Sequence, residues 1–333
     1  MNRPILQIEN LTTSFRLQDG YHAAVDNVSF TVNENEIVAV VGESGCGKSA
    51  LALSIMQLHN KQRTKIEGAI RYRDSDLVAL NEAQMNKLRG KDLGMIFQES
   101  LTALNPLMTV GRQIEENLDY HTDLTKKAKK ARTMELLAKV GIPLPEFTYK
   151  QYPHELSGGM RQRSMISMAI ACNPSVIIAD EPTTALDVTI QAQILDLLKS
   201  IQKKTHMGII LITHDLGVVA EIADRIVVMY AGQVVEMGTV LRIFKNPRHP
   251  YTRSLMNSIP SAATGQDRLH VIEGAVPSIT RMPRQGCRFK DRISWIPDNT
   301  HENSPELHEV ASDHWVRCSC YKHFYFQGRK EKR

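Results

Sequence analysis

Eight residues decide the fold: Gly42-Glu43-Ser44-Gly45-Cys46-Gly47-Lys48-Ser49. They fill the pattern G-x-x-x-x-G-K-[ST] directly after the apolar run EIVAVV at residues 36–41, which predicts a buried parallel strand. The residues that follow, ALALSIM from Ala50 to Met56, have the composition of a helix. A strand, a glycine-rich turn and a helix in this order predict a phosphate-binding loop.

The residue types of this loop suit a nucleoside triphosphate with Mg²⁺. Glycines allow consecutive backbone N–H groups to face an anion, and the N-terminus of the helix adds a partial positive charge. Lys48 supplies a charge for the outer phosphates, and the Ser49 hydroxyl can bind Mg²⁺. The predicted nucleotide-binding residues of the loop are Gly42, Glu43, Ser44, Gly45, Cys46, Gly47, Lys48, Ser49 and Ala50.

Two further apolar runs end in polar residues. The run SVIIA at residues 175–179 leads to Asp180 and Glu181, and GIILIT at residues 208–213 leads to His214. Parallel strands place their carboxyl ends at one edge of a sheet, which is where ligands bind. We expect Asp180 to hold the Mg²⁺ shell, Glu181 to orient or deprotonate the attacking water, and His214 to contact the γ-phosphate.

A second anion site is predicted at Leu156-Ser157-Gly158-Gly159-Met160, which precedes a helical pattern at residues 164–171. One nucleotide-binding domain needs one phosphate loop. Two such sites in this chain therefore suggest that one of them serves a neighbouring molecule.

These motifs resemble the ATP-binding subunits of ATP-binding-cassette transporters, whose signature sequence reads LSGGQ. Met160 stands here at the last place of that signature. Gln98 resembles the family's Q-loop glutamine, and Ala185-Leu186-Asp187 resembles its D-loop. The resemblance implies an α/β P-loop domain with a helical subdomain, and it implies ATP and Mg²⁺ as ligands.

The resemblance also implies a head-to-tail pair of cassettes with two ATP molecules between them. Each ATP would contact the phosphate loop, Gln98, Asp180, Glu181 and His214 of one cassette, with Ser49, Gln98 and Asp180 near the Mg²⁺. The facing cassette would contribute Ser157, Gly158, Gly159 and Asp187. The partner cassette in such importers is usually a related but different chain.

Two stretches narrow the resemblance to peptide importers. They are Thr102-Ala103-Leu104-Asn105-Pro106 and Arg248-His249-Pro250-Tyr251-Thr252. Such systems contain two membrane permease subunits and an extracytoplasmic peptide-binding protein. Importers of nickel and metal chelates share much of the pattern and remain an alternative.

The composition limits the other classes of function. The chain has 333 residues, a net charge of +5 and mixed acidic and basic residues, which argues against a dedicated nucleic-acid surface. A soluble cassette ATPase acting on nucleic acid or ribosomes is the distant alternative, but such proteins carry two cassettes or long insertions. With no apolar run long enough to span a bilayer and no signal peptide, we expect a peripheral protein on the cytoplasmic face of the membrane.

The sequence predicts two regions. Residues 1–245 form the ATPase domain, in which residues 100–172 are helical, and a hairpin is expected around Ala231-Gly232. Residues 246–333 are expected to be an irregular, proline-rich extension with little core of its own.

For stacking on adenine the aromatic candidates are Phe15 and Tyr21.

Three of the five cysteines, Cys287, Cys318 and Cys320, lie in the extension. Relatives in the resembled family often carry four cysteines there, and some bind an iron–sulfur cluster. In this chain Ile293 stands at the second position and Asn299-Thr300 lies near the third. The sequence therefore does not predict a four-cysteine cluster, and a histidine would have to supply a fourth ligand.

Overall fold

The computed structural model describes residues 4–184, 186–258 and 272–326. The strands of these residues are β1 (Leu6–Leu17), β2 (Gly20–Val32), β3 (Ile37–Val41), β4 (Thr64–Tyr72), β5 (Ser75–Asp76), β6 (Leu93–Ile96), β7 (Val176–Asp180), β8 (Gly208–Thr213), β9 (Arg225–Tyr230), β10 (Gln233–Thr239), β11 (Leu307–Ala311) and β12 (His314–Arg317). The α-helices are α1 (Lys48–Ile55), α2 (Glu82–Leu88), α3 (Ser100–Ala103), α4 (Val110–His121), α5 (Lys126–Lys139), α6 (Pro145–Thr148), α7 (Gly158–Ala169), α8 (Val188–Thr205), α9 (Leu216–Ile222), α10 (Val240–Lys245) and α11 (Pro250–Asn257). Within the described ranges, every helix is too short or too polar to cross a lipid bilayer.

A central sheet organises the fold, with the strand order β11-β12-β10-β9-β3-β8-β7-β6. The strands from β9 to β6 pair in parallel, and β10, β12 and β11 continue the sheet with antiparallel pairings. Strands β3, β7 and β8 are buried along their whole length, which explains their continuous apolar sequences. The predicted α/β class is confirmed.

A second, antiparallel sheet with the order β2-β1-β4-β5 packs near the first. Val38 and Val40 of β3 share an apolar cluster with Leu6 of β1 and Leu51 of α1. Ala39 of β3 belongs to a different cluster. Alternate residues of β3 thus pack into the cores on the two faces of the sheet. This packing on both faces fixes the position of the loop that follows β3.

The segment between β6 and β7 is helical, as the sequence predicts for residues 100–172. It contains α3 to α7, whose apolar residues include Val110, Leu136 and Met165 in one buried cluster. The basic run of α5 follows a polar cap at Thr125, and its Lys129 pairs with Asp119. The basic run of α5 therefore has an acidic partner on the neighbouring helix α4.

The predicted hairpin is also confirmed. Strands β9 and β10 pair antiparallel through Ala231 and Gly232, whose φ angles are 47° and 83°. Two consecutive residues with positive φ define the tight turn that matches the twist of paired strands. Glycine tolerates this conformation without steric cost.

The described parts of the extension, residues 246–258 and 272–326, have more core than we expect from the sequence. Strand β12 pairs with β10, so the extension continues the central sheet. Side chains of the extension, Tyr251 among them, join a buried cluster with Tyr230 of β9. Residues 272–326 contribute Met282, Cys287, Phe289, Ile293, Ile296, Cys318, Cys320, Phe324 and Phe326 to this cluster. Prolines interrupt regular elements here, but side chains from turns still pack, and periodicity does not detect them.

A buried carboxylate on strand β10 joins the extension to the central sheet. Glu236 accepts hydrogen bonds from the backbone N–H groups of Arg248 (2.8 Å) and His249 (2.9 Å) and contacts His314 Nε2 at 2.7 Å. His249 then caps α11, because its Nδ1 accepts from the Tyr251 N–H at 3.1 Å. The stretch at residues 248–252 is therefore a buried connection between strand β10, strand β12 and helix α11.

His249 predicts an acid-sensitive stability. Burial lowers the pKa of His249 from 6.5 to about 4. The nearby Arg317 and His301 lower this pKa further, whereas Glu236 and Cys318 raise it and offset part of the shift. Below pH 6.5 the unfolded chain binds this proton and the folded chain does not, so stability falls as the pH drops from 6.5 towards 4. The full effect of this group is about 3 kcal/mol.

Replacing His249→Asn keeps an acceptor for the Tyr251 N–H and removes the titration. Urea unfolding at several pH values between 4 and 7 should show a smaller loss of stability in the variant than in the parent chain. Equal slopes for the two proteins would contradict the assignment.

Candidate functional site

The loop at residues 42–47 joins β3 to α1. Gly47 has φ 106°, and a Cβ there would stand 2.5 Å from the Ala24 carbonyl oxygen, so glycine is required. A Cβ at Gly45 would meet nothing within 4 Å, which leaves open space beside the loop. Lys48 Nζ donates to the carbonyl oxygens of Gly42 (2.7 Å) and Glu43 (3.0 Å). The lysine thus lies folded over the loop, and Ala50 follows within the first turn of α1.

Asp180 ends β7 in a buried position. Its Oδ1 has no hydrogen-bond partner within the described part of the chain. Burial raises the pKa of Asp180, while a hydrogen bond with Ser49 acts in the opposite direction. A buried, unpartnered carboxylate oxygen is costly unless a donor or cation satisfies it. Asp180 with Ser49 therefore fits Mg²⁺ and its bound water.

Glu181, Gln98 and His214 form a cluster at the same edge. Gln98 Nε2 donates to Glu181 Oε2 at 3.2 Å, and His214 Nδ1 lies 3.3 Å from Glu181 Oε1. Thr184 also donates to Glu181 Oε2, at 2.8 Å. Glu181 has φ 45°, a conformation that is uncommon for residues other than glycine and often marks functional sites. The structure thus brings the three predicted catalytic side chains together.

The predicted second anion site begins a helix. Ser157 caps α7 by accepting from the Met160 N–H at 3.3 Å, and Gly158 and Gly159 form the first turn. Asp187 caps α8 in the same way, with its Oδ1 accepting from the Ile190 N–H at 2.9 Å. Both caps are exposed. Ala185 lies outside the described residues.

The extension supplies contacts to the loop that sequence reasoning missed. Arg292 Nη1 donates to both carboxylate oxygens of Glu43, at 3.0 and 3.1 Å. The Tyr251 hydroxyl accepts from the Glu43 N–H at 2.7 Å. The stretch at residues 248–252 pointed to Tyr251 as a special position, but no sequence pattern distinguishes Arg292 from the other arginines. Glu43 is therefore held from two elements outside the loop.

The two aromatic candidates differ in environment. The Phe15 ring packs edge-on against His59, with ring centroids 5.1 Å apart. Tyr21, at the start of β2, is 50% exposed. Tyr21 is thus the more exposed of the two candidates, and stacking on a base requires an exposed ring.

The extension also brings its three cysteines together. Ligand atoms of Cys287, Cys318, Cys320 and His301 all lie within 4.8 Å of one another. His301 is the histidine that the sequence left unidentified. Ile293, at the position where four-cysteine relatives have a ligand, is 1% exposed and packs in the apolar cluster.

Comparison with known proteins shows which family the chain resembles along almost its whole length. The ABC transporter family model matches residues 25–184, and the model of the oligopeptide/dipeptide transporter C-terminal region matches residues 235–294. The chain is 48% identical over 329 residues to the oligopeptide transport ATP-binding protein OppD of Lactococcus lactis subsp. cremoris, covering 98% of this chain and 97% of that protein. It is 49% identical over 319 residues to AppD, the oligopeptide transport ATP-binding protein of Bacillus subtilis, covering 96% of this chain and 97% of that protein.

Solved structures show the same fold. The ATP-binding cassette MJ0796, a dimer bound to ADP and Pi in a post-hydrolysis state, superposes with a TM-score of 0.64 at 28% identity. The match covers 71% of this chain and 98% of that chain.

The contact between Arg292 and Glu43 predicts a role in shaping the loop. The Arg292 side chain is 6% exposed, so its loss would leave a half-buried Glu43 carboxylate without its partner. We expect Arg292→Ala to weaken ATP affinity by about tenfold, which corresponds to about 1.4 kcal/mol for a charged hydrogen-bonded pair.

Lys290→Ala is the matched control, because Lys290 pairs with Asp298 on the same segment but both side chains are exposed. Nucleotide titration by fluorescence anisotropy measures both variants. Equal ATP affinities for the two variants would show that the ion pair between Arg292 and Glu43 does not support the loop.

Proposed function

The chain belongs to the ATP-binding subunits of oligopeptide ATP-binding-cassette transporters, and from this premise we propose that it hydrolyses ATP to energise the import of di- and oligopeptides. The observation that carries the proposal is the convergence of Lys48, Asp180 and Glu181 at the carboxyl ends of β3 and β7, the two strands that flank β8. This edge is where ligands of such sheets bind. Similarity to peptide transport proteins favours peptides over nickel or metal chelates as the solute.

Each residue of the edge has a role set by its chemistry. The N–H groups of residues 42–50 and the Lys48 ammonium would hold the phosphates. Ser49, Asp180 and Gln98 would hold the Mg²⁺ shell, and the ion supplies charge neutralisation for phosphoryl transfer. Glu181 would orient or deprotonate the attacking water, with Gln98 and His214 fixing its carboxylate.

The signature residues are best explained by a partner cassette. The exposed Ser157 caps α7, whose first turn contains Gly158 and Gly159, and the exposed Asp187 caps the start of α8. A helix N-terminus binds anions, and the phosphates already have a site on the loop after β3. We therefore infer that these residues complete the ATP site of a second cassette, most simply a related but different chain.

The remaining partners follow from the proposed transport role. They are two membrane permease subunits and an extracytoplasmic peptide-binding protein, with this chain peripheral on the cytoplasmic face. Nucleic acid is not among the proposed partners, because neither ATP hydrolysis nor the mixed charge of the chain requires it. Tyr21 is proposed as the ring that stacks on adenine.

The catalytic role of Glu181 is tested by Glu181→Gln. The amide keeps the size of the side chain and cannot act as a base, so we expect ATP turnover to fall by at least about 100-fold while ATP affinity stays within about twofold. Steady-state phosphate release and equilibrium nucleotide binding measure the two quantities on the assembled transporter.

Two further variants serve as controls for Glu181→Gln. Glu221→Gln changes an exposed carboxylate on α9 and should leave turnover unchanged. Lys48→Ala should instead abolish nucleotide binding. Undiminished turnover in Glu181→Gln would remove Glu181 from the catalytic role.

The solute is tested in cells that lack this chain and are complemented with the parent chain or Glu181→Gln. The parent chain should restore uptake of labelled di- and oligopeptides, and the variant should not, because uptake needs ATP hydrolysis. Normal peptide uptake without the chain, together with lost nickel uptake, would establish the alternative solute.

A further inference from the structure

The extension contains four side chains arranged as a metal-binding set. Cys287, His301, Cys318 and Cys320 come from three separate turns, yet their ligand atoms all lie within 4.8 Å of one another. The three cysteines are 8%, 1% and 0% exposed, respectively in chain order, and all are free thiols. Three buried thiols and one imidazole in this arrangement are uncommon without a role.

His301 gives an independent indication of a missing ligand. Both of its ring nitrogens are shielded from solvent and lack a hydrogen-bond partner within the described residues. A neutral imidazole has one donor and one acceptor nitrogen, so its burial without partners carries a desolvation cost. Coordination of a cation by one ring nitrogen would remove part of that cost.

The chemistry and size of the set identify the class of metal. Three thiolates and one imidazole form a Cys₃His set, which binds Zn²⁺ tetrahedrally with Zn–S distances of about 2.3 Å and Zn–N distances of about 2.0 Å. Those bonds place neighbouring ligand atoms roughly 3.5–3.8 Å apart. The observed upper limit of 4.8 Å therefore requires a contraction of about 1.3 Å at most.

An iron–sulfur cluster fits less well. A cluster distributes its protein ligands over two or four iron atoms, and ligand atoms on different irons lie farther apart than ligands of one ion do. The position of a second cysteine is occupied by Ile293, whose side chain lies in the apolar cluster. We propose that Cys287, His301, Cys318 and Cys320 bind a single Zn²⁺ ion.

Backbone hydrogen bonds hold two of the ligand segments in tight turns. The Lys290 N–H donates to the Cys287 carbonyl oxygen at 3.1 Å, and the His323 N–H donates to the Cys320 carbonyl oxygen at 3.0 Å. Such contacts around a metal site help to orient its ligands. Zn²⁺ binding releases the thiol protons to solvent, so no oxidant or reductant takes part.

A bound ion would stabilise the segment after Cys287, which contacts the loop at residues 42–47. Arg288 follows Cys287 directly and donates to the Ala231 carbonyl and to Asp26, and Arg292 on the same segment binds Glu43. Regular secondary structure is short here, so one ion joining three turns supplies order that helices and strands supply elsewhere. Metal loss should loosen this contact to the loop.

The test is the metal content of the full-length chain, purified anaerobically from cells grown with both zinc and iron. Elemental analysis should give about one zinc per chain, with neither iron nor acid-labile sulfide. Titration of added Co²⁺ into the zinc-free chain should produce the absorption bands of a tetrahedral thiolate site. Iron with sulfide in the preparation, or an absence of metal together with no binding of added Zn²⁺ or Co²⁺, would overturn the proposal.

Variants assign the ligands. Cys318→Ser and His301→Ala should lower Zn²⁺ affinity by at least about 100-fold in competition with a chelating dye, whereas His301→Cys should retain the ion. Cys172→Ser and His308→Ala are matched controls outside the set and should bind zinc as the parent does. Because unfolding of Cys318→Ser would also release the ion, His301→Cys and circular dichroism of every variant separate ligand loss from unfolding. Zinc retained by both Cys318→Ser and His301→Ala would rule out this ligand set.

Discussion

The parallel pairing of β3, β8 and β7 is the constraint on which the ATP site depends. Val41 pairs with Thr213, and Asp180 pairs with Ile212, so the residues that follow these strands emerge side by side. A slip of one residue would move a strand by about 3.3 Å and turn its side chains to the opposite face. The hydrogen bonds and ion pairs around Glu181 require distances near 3 Å, so they exist only in this register.

The extension acts on this edge from a distance in sequence. Buried Glu236 fixes the start of α11, α11 carries Tyr251, and Tyr251 accepts a hydrogen bond from the loop at Glu43. Arg292 binds the side chain of the same glutamate. The loop therefore has two supports that the strand and helix around it do not provide. Its shape depends on the packing of residues that follow the ATPase domain.

Sequence reasoning recovers the parts of this molecule that regular structure determines. The loop, the strands that end at Asp180 and His214, the helical segment and the turn at Ala231 all follow from local patterns of apolar and small residues. It does not recover the core of the extension or the partner of Glu43. Those contacts come from side chains on turns, such as Arg292, where neither period 2 nor period 3.6 applies. His301 could be anticipated as a residue type, but its position depends on how three turns fold together.

The geometry of one chain also explains why the proposed machine needs two. The first N–H groups of a helix have no partner within the helix, and Ser157 satisfies one of them through Met160, leaving those of Gly158 and Gly159 for an anion. In the proposed function, the loop after β3 would hold phosphates with its own helix start. A triphosphate that contacted both helix starts, one from each cassette, would stabilise the joined pair by its added contacts alone. Cleavage of the γ-phosphate would remove the group that reaches the second helix, so opening of the pair would depend on hydrolysis.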